Sequence, residues 1–111
     1  MRIAVTGATG HLGANLARAL LARGDTVRAV VYEESPALEG LDIEQVRGDV
    51  LDRPSLEAAF TDAEVVYHLA SRITLGRDRS GLVRRVNVAG AANVADACLA
   101  ARVRRLVHVS S

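Results

Sequence analysis

The sequence predicts an α/β fold in which a parallel sheet of about five strands is covered by helices on both faces. Three observations carry this reading. A short apolar run, Ile3 to Val5, meets three glycines spaced by three (Gly7, Gly10 and Gly13). An amphipathic helical pattern follows them directly. From there, short β-branched runs alternate with helical patterns to the end of the chain, which is how a parallel sheet with crossover helices reads.

The first strand, Arg2 to Thr6, is short and β-branched at Ile3, Val5 and Thr6. The helix after the glycines places Leu12, Leu16 and Leu20 four apart on one face, and Gly24 stops it. Thr26 to Tyr32 is the second strand, with Val27, Ala29 and Val31 alternating. The polar connection Glu33 to Gly40 has room for one helical turn. Ile43 to Val46 is a weaker third strand, ending in Gly48-Asp49-Val50. Pro54 suits the first turn of a helix to Phe60. Glu64 to Ala70 is the fourth strand, and a polar loop with Arg72, Arg77, Asp78 and Arg79 follows. A long helix covers Leu82 to Ala101, with Leu82, Val86, Gly90, Val94 and Cys98 every fourth residue. Arg104 to Ser110 is the fifth strand. Right-handed crossovers favour the order 3-2-1-4-5, a Rossmann-type three-layer sandwich.

The chain has 111 residues, one domain's worth, residues 1–111, and half of them are hydrophobic. The net charge of +1 argues against nucleic acid and anionic membrane as obligate partners. All fourteen basic residues are Arg; there is no Lys. The one Cys, Cys98, excludes an internal disulfide and fits a reducing compartment. The chain opens on a strand pattern without a charged-then-apolar leader, and no apolar run approaches the ~18 residues of a membrane span. The expected location is the cytoplasm.

Strand, glycine turn and helix together point backbone N–H groups and a positive helix end at a phosphate. The order of these elements here is that of a dinucleotide fingerprint, and the absence of Lys excludes a Walker loop. Gly7 would make the tight turn, Gly10 would admit the pyrophosphate, and Gly13 would let helix and strand pack closely. At the end of strand two such folds place an acid for the ribose 2′-hydroxyl or an Arg for a 2′-phosphate. This chain has Val31-Tyr32-Glu33-Glu34 there and Arg28 inside the strand, so NAD and NADP both stay open. Tyr32 either stacks on adenine or is a half-exposed edge residue. Asp49 either accepts from the adenine amino group or makes turn bonds. His68 reads as a packed strand histidine rather than a base, and His108 as structural. Asn87 either reaches the active-site edge or bonds locally. Ser110-Ser111 could hold a substrate carbonyl or hydroxyl. His, Cys and acids show no metal-ligand spacing.

Thr6-Gly7-Ala8-Thr9-Gly10-His11-Leu12-Gly13, Gly48-Asp49-Val50, Tyr67-His68-Leu69-Ala70-Ser71, Asn87-Val88-Ala89-Gly90 with Asn93-Val94, and Val107-His108-Val109-Ser110-Ser111 occur in order. Together they resemble the extended short-chain dehydrogenase/reductase family, the NAD-dependent epimerase/dehydratase group, with dihydroflavonol-reductase and 3β-hydroxysteroid-dehydrogenase-like members nearest. The resemblance spans the whole chain. It implies that Thr9, His11 and Leu12 line the pyrophosphate beside the three glycines, and that Asp49 and Val50 contact adenine. It implies further that Leu69, Ala70 and Ser71 lie beside the nicotinamide ribose, that Asn87 helps organise the active site, and that Ser111 is the catalytic Ser, with Ser110 as the fallback. The family's activity is hydride transfer between nicotinamide and a carbinol or ketone carbon of a small-molecule substrate, and the family often dimerises through two long helices.

In this family a Tyr with a Lys four residues later does the acid–base chemistry, beyond the catalytic Ser. Tyr32 and Tyr67 have Pro36 and Ser71 at that offset. The resemblance therefore implies the N-terminal, cofactor-binding part of a longer enzyme, truncated after strand five, lacking the substrate domain and inactive by itself. The alternative is a non-catalytic NAD(P)-binding or sensor module.

Overall fold

The alternating patterns become β1 (Arg2–Thr6), α1 (His11–Ala22), β2 (Thr26–Val31), a 3-10 turn (Pro36–Leu38), β3 (Glu44–Arg47), α2 (Arg53–Ala59), β4 (Val65–His68), α3 (Leu82–Ala100) and β5 (Arg105–His108). This is a computed structural model; it describes residues 1–33, 36–69 and 81–109. The five strands form one parallel sheet in the order β3-β2-β1-β4-β5, as the sequence predicts. The elements lie within a residue or two of the predicted bounds, except that β4 and β5 are shorter.

Side chains alternate between two buried layers. Ile3, Val5, Val27, Ala29 and Val31 pack on one face with Ala17 and Leu20 of α1. Ala4, Val30 and Val66 pack on the other with Leu56 and Ala59 of α2 and Val94, Ala97 and Cys98 of α3. The central strands are apolar on both sides because both sides are covered.

The expected inward face of α1 needs correction. Leu12 is 60% exposed, and the buried positions are Gly13, Ala14, Ala17 and Leu20. The helix starts so close to the end of β1 that only small side chains fit between them. The four-residue leucine spacing therefore fails at its first member and holds from Leu16 onward. In α3 the predicted stripe is buried at Gly90, Val94 and Cys98, and burial pushes the Cys98 thiol up to about 11, an inert core thiol.

Candidate functional site

All five strands run the same way, so their carboxyl ends share one edge. The chain winds outward from β1 in both directions, which makes the space between β1 and β4 the switch point where ligands sit in such sheets.

Gly7 leaves β1 with φ +76°, a conformation that favours glycine. The Gly10 N–H donates to the Gly7 carbonyl at 3.1 Å, and Gly10, in extended conformation, caps α1 without any side-chain hydrogen bond. The Ala14 N–H bonds back to the Gly10 carbonyl at 2.9 Å. The N–H groups before it, at His11, Leu12 and Gly13, have no acceptor within the helix, and the first turn has no acidic residue. Thr9, Gly10, His11 and Leu12 are exposed around this positive helix end.

Gly10 and Gly13 are glycine for different reasons. A Cβ at Gly13 would overlap the Gly7 carbonyl oxygen and lie 2.7 Å from its carbon and 2.8 Å from the Ala8 Cα. That position is closed by the protein's own backbone. A Cβ at Gly10 would meet only the Gly7 oxygen, at 3.5 Å, ordinary contact distance. Its backbone is unstrained, with φ −76°. Among the described residues, nothing demands glycine at position 10. An open cradle of backbone N–H groups around it fits a diphosphate.

Beneath the turn, Thr6 and His68 tie β1 to β4. The Thr6 Oγ1 lies 2.7 Å from His68 Nδ1, and the Leu69 N–H lies 3.2 Å from both that hydroxyl and the Thr6 carbonyl. His68 is buried. Desolvation, and secondarily the His108 ring 5.1 Å away, lower its pKa to about 4. It is neutral at pH 7 and packed, as its sequence context predicts.

At the tip of β2, Tyr32 and Glu33 are exposed. Arg28 is not part of this tip. Its Nε donates to Glu44 Oε2 at 3.1 Å, and its Nη1 donates to the carbonyls of Ala59 (2.8 Å) and Thr61 (2.6 Å) at the end of α2. Arg28 is a clamp at the opposite edge of the sheet.

Asp49 makes turn bonds: Oδ1 accepts from the Leu51 N–H at 2.9 Å. Its own N–H donates to Ser55 Oγ at 3.0 Å. Oδ2 lies outside these bonds, so the turn orients the carboxylate without using all of it. Asn93 of α3 donates to the Val50 carbonyl at 2.8 Å. Gly90 packs so closely that an added Cβ would come within 3.0 Å of Val50 Cγ2. Asn87, one turn nearer the carboxyl edge on α3, is half-buried. The sequence names Asn93 within the family pattern without a role and gives Ser55 none; the structure makes both supports of the turn after β3.

Leu69 is half-buried at the end of β4. Ala70, Ser71, Ser110 and Ser111 lie outside the described residues, as do Glu34 and Arg72, Arg77, Asp78 and Arg79. Among the described residues, no group of three His, Cys, Asp or Glu is placed to hold a metal ion, and no helix is long and apolar enough to cross a membrane.

A family model described as the 3-beta hydroxysteroid dehydrogenase/isomerase family matches residues 4–111. The chain is 47% identical over 114 residues to sterol demethylase protein B of Methylococcus capsulatus, covering all of this chain and 34% of that protein. It is 38% identical over 113 residues to the 4-hydroxy-2-methyl-3-oxo-4-farnesyl-3,4-dihydroquinoline-1-oxide ketoreductase of Stigmatella aurantiaca, again covering all of this chain and 34% of the relative. A short-chain dehydrogenase/reductase superfamily protein of Agrobacterium tumefaciens, solved with bound NAD, superposes with a TM-score of 0.83 at 33% identity, over all of this chain and 33% of that one. The chain thus spans about a third of the length of the relatives it matches.

Proposed function

The chain belongs to the 3-beta hydroxysteroid dehydrogenase/isomerase family, and from that premise we propose that residues 1–111 are a single domain whose carboxyl sheet edge holds NAD or NADP. Gly7, Thr9, Gly10, His11, Leu12 and Gly13 form the pyrophosphate cradle. Tyr32 lies beside the adenosine. Asp49, through Oδ2, and Val50 meet the adenine edge, while Leu69, Ala70 and Ser71 border the nicotinamide ribose. Asn87 supports the middle of the groove from α3. The likeness to an NAD-bound dehydrogenase/reductase and to a ketoreductase supports an oxidoreductase setting.

When bound, the nicotinamide supplies a hydride acceptor or donor. The residues of this chain bind and orient it: they neutralise the diphosphate with backbone N–H groups and hold the two rings at opposite ends of one groove. Within a protein of the relatives' length, Ser111 orients the hydroxyl or carbonyl of a small-molecule substrate in a reductase, epimerase or dehydratase. The 111 residues contain no Lys, hence no Tyr-x-x-x-Lys pair, so the chain's own contribution is binding rather than turnover. The alternative is a non-catalytic NAD(P)-binding or sensor module, which would lack a Tyr-x-x-x-Lys pair over its whole length. The net charge of +1 supports a small-molecule partner over nucleic acid. Val88 and Leu99, exposed on α3, support the family's helix-mediated homodimer.

The observation that carries this reading is Gly10, a glycine with room for a side chain and, among the described residues, no contact that requires it to lack one. Titration with NADH, followed by its fluorescence, should saturate below about 1 mM. Gly10→Val should fold with a nearly unchanged thermal midpoint yet weaken NADH binding at least ~10-fold, by filling the phosphate approach. Equal affinity of the variant and the parent protein would remove the cradle from the argument.

A further inference from the structure

We propose that the His11 ring serves the cofactor as well as its backbone does: Asn15 and Arg18 hold the ring proton on Nδ1, and Nδ1–H donates to the ligand's diphosphate. The inference rests on the cofactor reading of the glycine turn and adds a side-chain donor to it.

His11, Asn15 and Arg18 are exposed and lie four and three residues apart, so they share one stripe of α1. The stripe begins at the first residue of the helix, directly after Gly10, which caps it without a side-chain hydrogen bond. Arg18 Nη1 donates to Asn15 Oδ1 at 3.3 Å. Asn15 Nδ2 lies 3.5 Å from His11 Nε2.

The direction of each hydrogen follows from the Arg18 end. A guanidinium has donors and no acceptor, so the atom that meets it is the amide oxygen of Asn15. The amide nitrogen, a donor only, is then the atom that faces His11. His11 Nε2 must accept through its lone pair, and a neutral imidazole with a lone pair on Nε2 carries its proton on Nδ1. Arg18 stands about two turns along the helix, roughly 10 Å from its first residue. Salt screens an exposed charge over about that distance, so Arg18 acts on the turn through Asn15.

Among the described residues, the hydrogen bonding of the His11 ring ends at Nε2. Nδ1 is bonded to Cγ, the ring atom nearest the backbone, and so stays close to the first-turn N–H groups. There the position of one proton sets the sign of the contact. Diphosphate oxygens are anionic acceptors. Nδ1–H adds a charge-assisted hydrogen bond to those from the backbone, whereas a bare Nδ1 would set its lone pair against them.

The test has a spectroscopic arm and a binding arm. Nitrogen-15 NMR of the ligand-free protein, labelled at histidine and in mildly alkaline buffer, should show His11 protonated on Nδ1; the His11→Asn spectrum assigns the signals. Asn15→Leu should release that preference. In the binding arm, Asn at position 11 offers an amide N–H near the place of Nδ1, and Gln offers one near the place of Nε2. NADH should bind His11→Asn within ~2-fold of the parent protein, and His11→Gln and His11→Phe at least ~5-fold more weakly. Circular dichroism confirms that each variant is folded, and inorganic pyrophosphate should rank them in the same order. A proton on Nε2, equal binding by His11→Asn and His11→Gln, or undiminished binding by His11→Phe would each overturn the role of the ring while leaving the glycine turn standing. Saturation by neither NADH nor pyrophosphate would overturn the cofactor reading itself, and the role of the ring with it.

Discussion

Two turns leave the same edge of the sheet and feed into helices, yet they are held in opposite ways. The turn after β1 is closed by backbone alone: the Gly10 N–H on the Gly7 carbonyl, and Gly13 against Gly7 and Ala8. No side chain caps α1. The turn after β3 is held by side chains, with Asp49 on Leu51, Ser55 on Asp49, and Asn93 reaching across from α3 to Val50. The first turn leaves the N–H groups of His11, Leu12 and Gly13 without an acceptor inside the helix. The second uses most of its polar groups internally and presents the remainder in a fixed place. On the proposed reading, that difference matches the two ends of the ligand: a charged diphosphate, gripped by unsatisfied N–H groups, and a neutral base, read by a rigid edge.

The comparison breaks most visibly at Gly13. Elsewhere in a helix, Gly→Ala is worth about 1 kcal/mol of added stability. At Gly13 the new methyl group would collide with the backbone of Gly7 and Ala8, so α1 must move away from β1. Gly13→Ala should therefore destabilise by about 3 kcal/mol, the upper range for overpacking, and abolish NADH binding because the cradle opens. Urea denaturation checks the first effect and fluorescence titration the second. A variant as stable as its parent would mean that the backbone turn is looser than its contacts indicate.

The Thr6–His68 clasp sharpens the same side of the comparison through pH. His68 has a folded-state pKa of about 4 against 6.5 in an ordinary setting. The unfolded chain therefore takes up a proton between pH 6.5 and 4 that the folded chain refuses. Stability should be fully present above pH 6.5, fall as the pH drops through that window, and level off near pH 4, a loss of up to ~3 kcal/mol from this group. His68→Asn should remove that part of the slope. An unchanged pH dependence of the unfolding free energy in the variant would show that His68 is not the group responsible.

Much of this molecule is legible in the sequence because its determinants are local. Ile3 to Val5, the glycine spacing and the alternation of elements follow from chain-neighbour sterics and periodicity, and the sheet order follows from crossover handedness. What was not legible depended on neighbours distant in sequence. Leu12 fits a helix face by spacing, but the approach of α1 to β1 puts it in solvent. Arg28, inside the second strand, leaves its direction open in the sequence, and the end of α2, more than thirty residues away, settles it by taking its donors. Asp49 was posed as either a turn former or an adenine contact, and the structure shows that its two oxygens need not share one duty. The support that Asn93 gives to Val50 joins positions 43 residues apart, and neither residue signals the other.

That support is where the smallest effect should appear. Asn93→Ala removes a half-buried hydrogen bond to the Val50 carbonyl, worth about 1 kcal/mol net, and part of that is returned by the better helix propensity of alanine. The fold should survive with a thermal midpoint lowered by a few degrees, since ~1 kcal/mol shifts a domain of this size by about 4–8 °C. The consequence for binding is more telling. If the turn after β3 is the rigid edge that reads adenine, loosening Val50 should weaken AMP and NADH by the same factor, on the order of 3-fold. It should leave the cradle's grip on inorganic pyrophosphate untouched. Loss of pyrophosphate affinity in Asn93→Ala would join the two turns into one unit and dissolve the distinction between them.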